Sequence, residues 1–278
     1  MAGPITETEA AAFNPDILHR LTLKYRMPKL VARNVFDTRF EDVKVGDNID
    51  VALVTRITAT AVTLGTQAFQ TTTYQNPTET KVTIAIDKWS YGAIALEIYE
   101  QAVAAKDLEG IYKQSALDTV LVKIDTDAVA GADGFTNTTG TDAVSLTDDD
   151  IITAVDFLDV GNVPPDDRNL ILYPSQLAEF FKLDKWINNL YRDGKPVNRY
   201  DMGMMYDVRI WKTTQTKAGS AGHVNFLSHR EALALVVRKQ PSAWILDDPD
   251  TQARKIVYPA IYGFKVMRQD HARELLGL

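Results

Sequence analysis

Apolar residues recur at every second position in two stretches near the start of the chain. Ile49, Val51, Leu53 and Ile57 alternate with Asp50, Ala52, Val54 and Arg56, and Val82, Ile84 and Ile86 alternate with Lys81, Thr83, Ala85 and Asp87. A period of two is that of a half-buried strand. Between these stretches nine threonines fall from Thr58 to Thr80. Threonine favours extended backbone and offers little to bury, so the pattern predicts a long two-stranded ribbon with a polar tip. Such a ribbon cannot cover its own face and is marginal in water. It is therefore expected to lie on another surface, and a neighbouring copy of the same chain is the expected one. The alternative is an ordinary sheet edge carrying a loose loop.

Helical spacing takes over further along. Leu117, Val120, Leu121, Ile124 and Ala128 fall on one face of a helix. With Asp107 as N-cap and Gly131 as stop, the helix covers 107–129 and is on the order of 35 Å long at 1.5 Å per residue. The segment before it, "WSYGAIALEIYEQAVAA", reads as transitional. Thr147 with Asp150 three residues on forms a capping box, and Asp148 and Asp149 favour the positive end of the helix that follows. Ile151, Ile152, Val155 and Leu158 are its core face. Gly161 ends it, Pro164 and Pro165 stiffen a turn, Asn169 to Tyr173 is a short buried strand, and Pro174 starts a helix that buries Leu177, Phe180 and Phe181.

The ends of the chain are less regular. Asn14, Pro15 and Asp16 start a short helix that ends before Pro28, and an irregular arm follows to Gly46. Beyond Trp186, "YDVRIW" reads as a strand, "QTKAGSAGH" as a loop and "ALALVV" as a buried strand or short helix. "RKIVYPAIYGFKVMR" reads as two strands broken near Pro259. Helices with unevenly spaced strands predict the α+β class.

Composition narrows the function. A chain of 278 residues, 45% hydrophobic and 24% charged, is ordinary for a soluble protein of one large or two closely joined domains. A net charge of -7 argues against gripping nucleic acid through an overall field. Without cysteine there is no disulfide, no thiolate catalysis and no Cys-based zinc site. The first residues lack a basic region and an apolar run, so no secretory signal is expected, and no stretch matches a membrane span. The expected compartment is the cytosol.

Catalytic signatures are missing from the pattern. There is no GxGxxG, no GK[ST] loop, no GxSxG and no HExxH. The histidines are His19, His223, His229 and His271. His223 and His229, six apart with Glu231 nearby, could form a metal site, but the signal is weak. Asp148, Asp149 and Asp150 are explained by capping, and "DDPD" at Asp247–Asp250 by an acidic turn. Asp118, Asp125 and Asp127 do not share one helical face, so a carboxylate pair for acid–base chemistry gains no support. No catalytic, cofactor-binding or metal residue is assigned.

"FNPDILHRLTLKYRMPKLVARNVFDTRFEDVKVGDNIDV", "TKVTIAIDKWSYGAIALEI", "YKQSALDTVLVKIDTDAVAG", "VGNVPPDDRNLILYPSQLAEFF", "LSHREALALVVRK" and "AIYGFKVMRQDHA" follow in order. In order and spacing they resemble the tailed-bacteriophage major capsid proteins of the Hong Kong phage fold, over nearly the whole chain. The resemblance implies an N-terminal arm (1–46), an extended loop (47–88) and a peripheral domain with a spine helix (89–155). It further implies an axial domain (156–250) and a return to the peripheral domain (251–278). It also implies self-assembly, through pentamers and hexamers, into an icosahedral shell around double-stranded DNA bound without sequence specificity. Scaffold, portal and decoration proteins are possible partners, no membrane is involved, and the location is the virion, assembled in the host cytoplasm. Some relatives join subunits through a lysine near the loop tip. Here Thr58 to Thr80 holds no lysine, only Lys81 and Lys88 beyond it, so no covalent cross-link is expected. The alternatives are an encapsulin-like compartment and, in another class, a metal-dependent hydrolase using His223, His229 and Glu231.

Overall fold

The two alternating stretches pair with each other. In a computed structural model, which describes residues 27–42, 46–60, 74–97, 108–182 and 204–278, strand β1 (Asn48–Val54) runs antiparallel to β2 (Glu79–Ala85). The register sets Ile49 opposite Ile84, both buried, and Asp50 opposite Thr83, whose hydroxyl donates to the carboxylate at 2.7 Å. Ile49, Ile84 and Ile86 rest on Ala234 and Val236, which seats the base of the ribbon on the body. Further out Val54 and Ile57 stand exposed. The tip, 61–73, and the predicted helix starting at Asn14 lie outside the described residues.

The long helix forms where its stripe predicts, as α2 (Leu108–Ala130), after a four-residue α1 (Ala32–Val35) in the arm. Ala116, Val120, Ile124 and Ala128 are its buried line, while Leu117 and Leu121 flank it half-buried. Gly131 does not stop the helix outright; the chain tightens into a 3-10 turn, Gly131–Gly134. The transitional segment proves to be strand β3 (Lys88–Glu97), whose even-numbered residues face α2. At Gly92 a Cβ would sit 2.5 Å from the carbonyl oxygen of Ala116, so helix and strand approach this closely only over glycine.

Two sheets follow from the pairings. One holds β3, β9 (Leu233–Lys239), β10 (Trp244–Asp248) and β11 (Ala253–Val266). The other has six strands: β4 (Thr138–Gly140), β5 (Arg168–Leu172), β6 (Met204–Met205), β7 (Val208–Lys212), β8 (His223–His229) and β12 (Ala272–Gly277). Their order across the sheet is β4-β12-β8-β5-β7-β6. "ALALVV" is thus strand, not helix. It is apolar throughout because Leu233, Leu235 and Val237 face the α2 core while Ala234 and Val236 carry the ribbon.

The expected break at Pro259 does not occur: β11 is continuous. One side of β11 pairs with β3 from Ala253 to Tyr262. Its other side pairs with β10 up to Val257 and with β9 from Ile261. Pro259 falls in the gap between these partners, where the ladder lacks a neighbour on that side and an absent N–H costs little. "YDVRIW" also begins later than its pattern suggests. Tyr206 and Asp207, at φ 51° and 60°, make the two-residue turn between β6 and β7. Sheet membership does not follow sequence order. β9 and β10, counted with 156–250, lie in the β3–β11 sheet, and β12, counted with 251–278, lies in the six-stranded one. Long-range pairing decides this, and chain order does not.

The six-stranded sheet carries two helices, α3 (Asp148–Val160) and α4 (Pro174–Phe180), on a core of Leu146, Ile151, Leu158, Leu170, Leu172, Phe180 and Leu227. The capping box is present: Thr147 Oγ1 accepts from the Asp150 amide at 3.3 Å and Asp150 accepts from the Thr147 amide at 2.8 Å. Buried Arg168 clamps the double-proline turn. It donates to the carbonyls of Val163 (2.6 Å) and Pro164 (3.0 Å) and pairs with Asp159 at 2.7 Å. Buried Gln176 ties α4 to the chain end, accepting from the amides of Leu146 (3.0 Å) and Leu278 (3.3 Å). On the opposite face of the sheet Phe226 stacks on Phe36 and meets Phe135, centroids 5.9 and 6.0 Å apart, joining the sheet to the arm and the end of α2.

Candidate assembly surface

Among the described residues, no helix lies over the face of the β3–β11 sheet turned away from α2. Residues directly opposite in an antiparallel ladder share a face. Trp89, Tyr91, Ala93 and Ala95 of β3 therefore lie on one side with Val257 of β11 and Trp244 and Leu246 of β10. Trp89 is 72% exposed and Leu246 67%, and Tyr91 and Trp244 are exposed as well. The rings of Trp89 and Tyr91 lie 6.3 Å apart, and the Lys239 ammonium sits 3.9 Å from the Trp244 ring centre. Four large apolar side chains thus stand exposed on one face of this sheet, and exposed apolar surface of this kind marks contact surfaces. The ribbon adds Val54, Ile57 and Tyr74, all exposed.

The acidic groups serve structure. Asp148 accepts from the Tyr206 hydroxyl at 2.7 Å. Asp247 pairs with Arg254 at 3.2 Å and Asp248 with Lys255, across the hairpin of β10 and β11. Asp118 accepts from Gln114 at 2.8 Å, and Asp127 takes Lys123 and the Tyr262 hydroxyl at 2.7 and 2.6 Å. Asp125 faces the arm instead, so the three carboxylates of α2 diverge as their helical positions imply. Lys81 pairs with Asp50 at 2.6 Å and Lys88 lies 5.0 Å from the centre of the Phe264 ring.

The histidines do not group as His223, His229 and Glu231. His223, at the start of β8, stacks on Tyr173, 3.4 Å between ring centres. His229 and Glu231 instead meet His271, and His19 lies outside the described residues. The His229 and His271 rings are 5.6 Å apart, edge to face. Burial holds both imidazoles below their ordinary range, against the pull of Glu231 on His229 and of Asp270 on His271. Glu231 itself pairs with Arg39 at 2.7 Å.

Two buried acids escaped the pattern of the sequence. Asp125 on α2 accepts from the amides of Val31 (2.8 Å) and Ala32 (2.7 Å), so a side chain from the long helix caps the start of α1 in the arm. Burial raises its carboxyl above the usual range. Glu274 on β12 is also buried, and desolvation, with Asp133 nearby, pushes it up to about 7 against the opposing effect of Lys217. An acidic residue amid an apolar stripe was the only available signal for Asp125, and it is the same signal an exposed residue gives.

No family model matches the sequence, and no curated protein matches it. Solved structures do. A chain of Mycobacterium phage Che8 superposes with a TM-score of 0.79 at 19% identity, covering 95% of this chain and 97% of that one. The capsid of the cyanophage P-SCSP1u gives 0.72 at 14%, covering 97% and 94%. The mature capsid of bacteriophage PhiM1 gives 0.72 at 13%, covering 95% and 92%. The shared architecture extends over almost the full length of each partner. An α+β chain with a projecting ribbon, a long helix across one sheet and a second six-stranded sheet has the Hong Kong phage-type fold found in tailed-phage capsids.

Proposed function

We propose that this chain is the structural shell subunit of a phage head, assembling into an icosahedral capsid around double-stranded DNA. The observation that carries the reading is the capsid fold over nearly the whole chain, joined to an apolar sheet face and a ribbon that one subunit leaves uncovered. Burial of such surfaces between copies supplies the association energy, and symmetry multiplies weak contacts into a stable shell. In this reading the arm is 1–46, the extended loop 47–88, and the segments 89–155, 156–250 and 251–278 build the peripheral and axial parts. The acidic chain confines DNA without reading its sequence. The work of the subunit is mechanical, with no catalytic group assigned.

Negative-stain microscopy of the purified protein tests this. Closed shells, pentamers or hexamers are expected, and shells isolated from infected cells should hold DNA. Shells filled with an enzyme cargo would favour the encapsulin-like alternative. A monodisperse monomer under all assembly conditions would remove the proposal.

A further inference from the structure

The chain passes from the six-stranded sheet to the β3–β11 sheet through Arg230–Ala232 and returns through Gln269–His271. The two crossings run side by side, with the Met267 amide donating to the Ala232 carbonyl at 2.8 Å. Each carries a histidine at its end, and the two rings meet. His229, Glu231 and His271 can each present a donor atom within 4.8 Å of the other two. His271 is buried, and among the described residues its Nδ1 has no hydrogen-bond partner. A buried ring nitrogen left unpaired needs an explanation, and the nearest one is a ligand it can bind.

The surroundings are those of a ligand set. Arg39 holds Oε1 of Glu231 at 2.7 Å, orienting the carboxylate and leaving its second oxygen for another bond. His229 accepts from the Glu231 amide at 3.2 Å and makes a backbone hydrogen bond with Asp166. Nδ1 can leave the Glu231 amide for an ion while the ring N–H stays on the Asp166 backbone as outer support. Acidic Asp37, Asp167 and Asp270 offset the nearby Arg39, Arg168, Arg230 and Arg268. Of these arginines, Arg39 is bound to Asp37 and Glu231, and Arg168 to Asp159.

We propose that His229, Glu231 and His271 bind one divalent transition-metal ion of the zinc class, which staples the two crossings together. Two imidazoles and a carboxylate, with a fourth position for water, are a zinc donor set. Ligand bonds of roughly 2.0–2.1 Å put the donors about 3.4 Å apart, a contraction that side-chain rotation supplies. The Glu231 side chain is 39% exposed, which opens the way in from solvent. The ion fixes the junction between the two sheets and takes part in no reaction, so this site stands or falls separately from the shell function.

The test uses the full chain stripped with a chelator and then titrated with zinc chloride. One zinc per chain is expected, with a higher melting temperature in zinc and none in magnesium. Cobalt in its place should give the intense visible absorption of a tetrahedral site. Glu231→Gln and His271→Gln should each weaken zinc binding at least about tenfold, while His223→Gln, away from the cluster, leaves it unchanged. Glu231 is half open to solvent, so its variant carries the test if the His271 variant fails to fold. Failure of the unaltered chain to retain zinc, or cluster variants that bind zinc as tightly as the unaltered chain, overturns the proposal.

Discussion

Replacing Glu274 by glutamine should make the dissociated subunit more stable at pH 8 and leave it unchanged at pH 4.5. The Glu274 carboxyl is buried on β12 between Phe226 of β8 and Thr138 of β4. Burial, reinforced by Asp133 and opposed by Lys217, raises it from 4.5 to about 7. The folded protein therefore holds a proton that the unfolded chain releases. Its contribution is complete below about pH 4.5 and is lost as the pH rises to about 7. At about 1.4 kcal/mol per tenfold, the displacement corresponds to roughly 3 kcal/mol of stability lost by neutral pH. Glutamine keeps the shape and cannot ionise. Melting followed by circular dichroism should then place the variant above the parent by roughly 5–10 °C at pH 8, at about 2–4 °C per kcal/mol for a chain of this size. The gap should close as the pH is lowered. An equal gap at pH 5 and pH 8, or a variant that melts lower at pH 8, would refute the reasoning.

Asp125→Ala should strip the amides of Val31 and Ala32 of their acceptor, costing about 1–3 kcal/mol; faster hydrogen exchange across 31–36 measures it. Gly92→Ala should force α2 off β3 and cost about 1–3 kcal/mol by overpacking, read from denaturant unfolding of the subunit. Trp244→Ser combined with Leu246→Ser should shift subunit stability little, within about 1 kcal/mol for two exposed sites. The same pair should sharply reduce the yield of assembled particles by sedimentation. Assembled particles run on a denaturing gel should give a single subunit band, since Thr58 to Thr80 holds no lysine.

Local pattern carried a large part of this architecture. Alternation at 49–53 and 82–86 was enough for the ribbon, because one face of it is buried at the base and a register slip would turn Ile49 and Ile84 outward. Helical spacing placed α2, and turn chemistry placed the Thr147 cap and the start of α4 at Pro174. These are interactions within a few residues, and their signatures are written in the order of the chain.

Other features depend on residues far apart and left no such mark. Pro259 read as a break because a proline lacks an amide hydrogen, yet only the placement of β9 and β10 shows that it falls where β11 has a partner on one side alone. Asp125 meets the arm 94 residues away, and whether an acid in a helix points to water or to another segment is decided by packing. His229 paired in sequence with His223 but in space with His271, because the two crossings run side by side. The sequence by itself determined the ribbon strands, the long helix, the Thr147 cap, the Pro174 helix start and the absence of familiar catalytic motifs. The tertiary structure alone decided which strands share a sheet, which apolar face stays bare and which histidines meet, since each is a product of long-range contact whose energy no local window contains.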